Sequence, residues 1–104
     1  MVFFSDDSEQ AIAWNEVNNA PDNAELTGEL IAAAAAYEAA KVYENYVAAH
    51  GKPASEAQAK EILGGIVAIF VDRTVETNSL DSIDAQRVKY DGRSQTWDII
   101  AEDY

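Results

Sequence analysis

Two helix-forming blocks joined by a short break constrain this chain more than anything else in it. Residues 29–41 read ELIAAAAAYEAAK, residues 51–53 read GKP, and residues 59–77 read AKEILGGIVAIFVDRTVET. Alanine is the best helix former, and a surface of alanine lets a second helix come close. The later block is almost wholly apolar and carries Gly64–Gly65 in its interior. A short connection makes the two helices antiparallel neighbours. The pair predicts a tight helical hairpin.

The flanking segments also read as helices. Asp6 with Glu9 has capping-box spacing, in which each side chain satisfies an orphan backbone N–H, and opens a first helix over 8–18 with Ile12 and Trp14 as packing residues. Asp22 with Glu25 repeats the pattern and opens the second helix over 23–49. Leu26, Leu30, Ala33, Tyr37, Ala40 and Val47 recur at helical spacings on one face of it. His50–Gly51 supplies its stop, with Pro53 beyond. Ser55 with Gln58 opens the third helix over 56–78. Ile62, Ile66, Ile69 and Arg73 form one stripe, and Ala59, Leu63, Phe70 and Thr74 its neighbour. So wide a face predicts that the third helix is the central, most buried element. Asp81 and Asp84 start a fourth helix over 82–90 that turns Ile83 and Val88 inward and ends at Asp91–Gly92. Residues 93–104 are then either a last short helix capped by Thr96 or a loosely docked tail. The branched run at 67–71 lies inside a longer helical period, so no strand competes. The chain is expected to be one all-α domain over 1–104, a small antiparallel bundle of about four helices centred on the hairpin.

Charge narrows the partners. Nineteen Asp and Glu against seven Lys and Arg leave a net charge of −12. Such a chain repels phosphate backbones and anionic bilayers, so neither nucleic acid nor membrane is expected as a partner. The same excess favours solubility and steers a cationic partner. Cysteine is absent, which removes disulfides and thiolate chemistry and fits a reducing compartment. The N-terminal MVFF has no basic segment before it and is ended by Ser5, Asp6 and Asp7. The longest apolar run, 62–71, is about half a membrane span. A cytoplasmic protein is the expectation.

Each chemically suggestive feature has a plain rival. Tyr37, Tyr43, Gly64, Gly65 and Phe70 are candidates to line a ligand cavity between the second and third helices, where hydroxyls orient a guest. Such tyrosines are more often half-buried, with the ring packed and the hydroxyl wet. Ala32, Ala36, Ala39 and Ala40 are candidates for a dimer face against the glycine step, but packing inside the hairpin is the favoured reading. On either reading, Gly65→Leu is expected to break a close approach and lower stability. Asp72 and Glu76 share a helix side and, with Tyr37, are the candidates for acid–base chemistry; exposed acidic pairs are common in a chain this acidic. His50 is the single histidine, which rules out a multi-histidine metal site within one chain. No GxxxxGK[ST], GxGxxG or calcium-loop order occurs, so no cofactor and no metal are expected.

These residues carry a resemblance. The segments SEQAIAWNEV, ELIAAAAAYEAAKVYENYVAAHGKP, AKEILGG, FVDRTVET and LDSID together resemble the small fungal proteins of the concanamycin-induced protein C (CipC) family. The resemblance spans most of the chain and implies a fungal, intracellular protein linked by name to antibiotic and stress responses. It brings no catalytic residues to transfer. The departure is the end: the family's basic, often histidine-containing tail is replaced here by the acidic, aromatic RVKYDGRSQTWDIIAEDY. The leading expectation is a non-enzymatic acidic helical protein of a stress response, acting by self-association as a homodimer or by binding a basic protein. The alternative is a small-molecule carrier with a Tyr/Ala/Gly-lined cavity, and an enzyme ranks third.

Overall fold

The computed structural model describes residues 4–20, 26–78, 80 and 83–101. Four helices follow one another: α1 (Glu9–Asn18), α2 (Gly28–His50), α3 (Glu56–Thr77) and α4 (Ala85–Ile100). Among the described residues there are no strands. Helix α2 packs against each of the other three, and α3 also packs against α4. The expected all-α antiparallel bundle is present.

Local chemistry sets most of the helix ends. Ser55 Oγ accepts from the Gln58 N–H at 3.1 Å, while Gln58 Oε1 accepts from the Ala54 N–H at 3.0 Å, so the capping residues expected for α3 act as read. Asp84 caps α4 by accepting from the Arg87 N–H at 3.3 Å. Helix α2 ends at Gly51, whose φ of 80° is the left-handed conformation that glycine adopts without strain. Two starts differ from expectation. Helix α1 is capped by Ser8, which accepts from the Ala11 N–H at 3.1 Å, and not by Asp6. Helix α2 is capped by Thr27, four residues after the expected start at residue 23. The Asp22–Glu25 pair lies outside the described residues, as do Asp81 and Ser82.

The larger correction concerns which helix is central. Residues 31–37 of α2 are buried without a break, and so are Ala39, Ala40 and Tyr43. On α3 only the stripe Ala59, Leu63, Val67, Phe70, Val71 and Thr74 is buried, while Ile69 is 67% exposed. Alanine explains the exchange. A helix wrapped in methyl groups admits neighbours on every side, whereas α3 turns one stripe inward and leaves Ile62 and Ile66 half-buried and Ile69 exposed beside it. Helix α2, not α3, is the axis of the bundle.

The second correction follows from it. Helix α4 does not stop at Asp91–Gly92 but continues to Ile100. Gly92 is buried at its crossing with α2 and α3. A Cβ there would lie 2.9 Å from Val67 Cγ1, 3.4 Å from the Ala32 carbonyl oxygen and 3.6 Å from Ala35 Cβ. The glycine is thus a point of contact inside a helix, not its terminator. Thr96 is no cap either: it is wholly buried one turn on, where its hydroxyl donates to the Gly92 carbonyl at 2.8 Å. Val88, Gly92, Thr96 and Ile100 form the buried edge of α4 at a spacing of four. The glycine step expected to do this work faces elsewhere. A Cβ on Gly65 would meet nothing within 4 Å.

The two glycines therefore respond in opposite ways. Gly92→Ala is expected to lower unfolding stability by about 1 kcal/mol, and Gly92→Val by up to about 3 kcal/mol, because the added atoms have nowhere to go. Gly65→Ala is expected to raise it by up to about 1 kcal/mol through helix propensity alone. Urea unfolding of the three variants checks the signs. Half-buried Glu44 has its carboxyl pushed above the usual range by desolvation, opposed in part by Lys41. A carboxyl raised in the folded state favours folding at low pH and loses that contribution as pH rises through the carboxylate range. Glu44→Gln is accordingly expected to raise the melting temperature at pH 7 and to bring less gain at pH 4.

Candidate functional site

The residues that sequence patterning groups into one cavity are distributed over several places. Tyr37 is buried with its ring 5.6 Å from that of Trp14, centre to centre, and Lys41 lies 5.4 Å over Tyr37 and 5.6 Å over Trp14. The Trp14 indole N–H donates to Glu38 Oε1 at 2.9 Å. These contacts clamp α1 onto α2. Tyr43 is buried in the core. Phe70 is buried under Arg73, whose guanidinium lies 5.9 Å from the ring centre, beside a small groove shared with Val17 and Asn18 of α1. Gly65 faces open space. Ala32, Ala36, Ala39 and Ala40 are all buried within the chain, so their methyl groups are in contact with its own helices.

The acid–base candidates are divided between two helices, Asp72 and Glu76 on α3 and Tyr37 on α2. Asp72 Oδ1 accepts from Lys89 Nζ at 2.8 Å, an ion pair that links α3 to α4 with the lysine side chain only 13% exposed. Glu76 is exposed, and Tyr37 is engaged with Trp14. His50 sits at the end of α2 with its ring 5.0 Å from that of Tyr46. Among the described residues no three His, Asp or Glu side chains converge as metal ligands. No described helix is long and apolar enough to cross a membrane.

Of the five cavity candidates, Gly64 alone reaches the groove that collects the most varied chemistry. That groove, about 340 Å³, runs between α3 and α4 and is lined by Lys60, Leu63 and Gly64 on one side and Tyr90, Arg93, Ser94, Trp97 and Asp98 on the other. Its geometry follows from the buried edge of α4. With 88, 92, 96 and 100 turned inward, positions 90, 93, 94 and 97 share the flank toward α3 at helical spacings. Gly64 makes room for the arginine: a Cβ there would lie 3.1 Å from Arg93 Cδ. The Lys60 ammonium lies 4.8 Å over the Trp97 ring and 3.8 Å from Glu56 Oε1, and both members of that ion pair are largely exposed. Tyr90 is 65% exposed. The groove thus presents two cations, one carboxylate at Asp98, the hydroxyls of Tyr90 and Ser94, and two aromatic rings beside the apolar Leu63. Ending the fourth helix at residue 90 hides this set. Read through Gly92, the spacing of Tyr90, Arg93, Ser94 and Trp97 exposes it.

The sequence pattern of the family described as virulence factor CipC-like matches residues 13–103 of this 104-residue chain. The chain belongs to that family, in agreement with the resemblance carried by its central helices. No curated protein and no solved structure matches it.

Lys60 and Tyr90 stand exposed on the surface of finished helices, so removing either should leave the fold intact. Tyr90→Ala and Lys60→Gln are each expected to change unfolding stability by no more than about 0.5 kcal/mol. Denaturant titration checks this.

Proposed function

We propose that the protein is a non-catalytic binding protein that holds a small, flat organic anion in the groove between α3 and α4. One observation carries the reading. In a chain of net charge −12 with seven cationic side chains, two of them meet Tyr90 and Trp97 along one groove. Arginine offers a planar fork that matches a carboxylate, and lysine adds a mobile second charge. The indole and phenol faces cover a planar ring, and Ser94 supplies a hydroxyl at the rim. Gly64, by lacking a side chain, leaves space for the Arg93 stem. A link to antibiotic response, implied by the likeness to CipC proteins, fits a small organic ligand.

A second reading is self-association through the outer face of α3. There Ile69 is 67% exposed, one turn from the open space at Gly65. Sedimentation equilibrium of the protein and of Ile69→Asp tests it: a dimer lost in the variant supports this face, and a monomer at all concentrations rejects it.

For the groove, 2-naphthoate titrated against tryptophan fluorescence should bind saturably, and the neutral 2-naphthalenemethanol at least about tenfold more weakly, as expected for loss of charge-assisted hydrogen bonds. Arg93→Gln should remove most of the affinity for 2-naphthoate. Equal binding of the two compounds, or an unchanged affinity in Arg93→Gln, rejects the anion assignment.

A further inference from the structure

The charge of this protein is segregated along the chain. Residues 1–40 contain eight Asp and Glu and no Lys or Arg, so they carry two-thirds of the net charge, and all seven cations lie at or beyond Lys41. The part of this segment that forms α1 and the start of α2 encloses a second groove, about 500 Å³. It is lined by Glu9, Ile12, Ala13 and Glu16 from α1 and by Thr27, Glu29, Leu30 and Ala33 at the start of α2. None of these eight is Lys or Arg. Ile12 stands 52% exposed along this groove, so it offers apolar surface there for a partner to cover.

The order of these groups defines what fits. Glu9, Ile12, Ala13 and Glu16 occupy i, i+3, i+4 and i+7 of α1, so they form one face with a carboxylate at each end and apolar groups between. Glu9 and Glu16 are two turns apart, roughly 10 Å along the axis. Glu29 stands on the opposite wall, beside Leu30 and Ala33. The carboxylates are spread along the groove and do not converge as metal ligands. A distributed row of anions around an apolar floor complements a distributed row of cations around an apolar ridge. A second copy presenting the same face would bring like charges together.

We infer that the α1–α2 groove docks a basic amphipathic helix of another protein, with lysines or arginines about seven residues apart and a leucine-sized side chain between them. Its apolar side chain covers Ile12 and Leu30, and its cations pair with Glu9, Glu16 and Glu29. The excess negative charge of residues 1–40 draws such a segment in from a distance. This surface shares no lining residue with the α3–α4 groove.

The test uses the full chain and a synthetic helical peptide with Lys at i and i+7 and Leu at i+3 and i+4, read by fluorescence anisotropy. Saturable binding is expected that weakens with added salt. It should fall about tenfold in Glu9→Gln/Glu16→Gln/Glu29→Gln, three exposed ion pairs being lost together. Ile12→Ser, checked by circular dichroism to be folded, should weaken it as well. No saturable binding overturns the inference. So does equal binding of the triple variant, or of a peptide of the same composition with its order scrambled, since either would mean attraction by net charge alone.

Discussion

The close crossing of α4 over the alanine surface of α2 is the contact on which the rest of this structure depends. Gly92 lies against Ala32 and Ala35 of α2 and against Val67 of α3, at distances that leave no room for a methyl group. Three helices meet at that point. Helix α2 can serve as the axis only because residues 32–36 are all alanine, each buried and none projecting far enough to hold a neighbour off. The hydroxyl of Thr96, bonded to the Gly92 carbonyl, satisfies the one polar side chain that this edge of α4 buries completely.

The crossing also sets what the surface can offer. Once Val88, Gly92, Thr96 and Ile100 are turned inward, the rotation of α4 about its axis is no longer free. Arg93 and Trp97 are then delivered to the rim shared with Lys60 and Gly64, and the Lys89–Asp72 ion pair ties the same two helices one turn before Arg93. The groove chemistry is a consequence of core packing. Helix α1 is held by Trp14, whose ring meets Tyr37 and whose N–H reaches Glu38. The Gln10 amide adds a bond to Gln95 of α4 at 3.2 Å. These contacts position the acidic wall that faces the start of α2.

Helix content, the hairpin and the caps at Ser55 and Asp84 were legible in the sequence because each rests on interactions between residues only a few positions apart. What was not legible depended on tertiary choice. Gly92 follows an aspartate and precedes an arginine, a setting that reads locally as a helix end; only the alanines sixty residues earlier make it a contact. Gly64 and Gly65 look alike in sequence, yet one faces Arg93 and the other open space, because adjacent helical positions point about 100° apart. The isoleucines of α3 misled for a related reason. Hydrophobicity marked them for the centre, but α3 turns the neighbouring stripe of Ala59, Leu63, Val67, Phe70 and Thr74 inward instead. The groove residues were missed with the helix that carries them, since a helix ended at residue 90 cannot place Trp97 beside Tyr90.

An axis of alanines has a thermal consequence. Alanine has no side-chain rotamers to lose on burial, so this layer forms at little side-chain entropy cost, but each residue withdraws little apolar area from water. The heat-capacity increment of unfolding scales with the apolar area exposed. A bundle whose axis is built of methyl groups therefore has a smaller increment than one of equal length filled with leucine, and a broader, flatter dependence of stability on temperature. The same residues that let the helices touch make the molecule's stability less sensitive to warming and cooling.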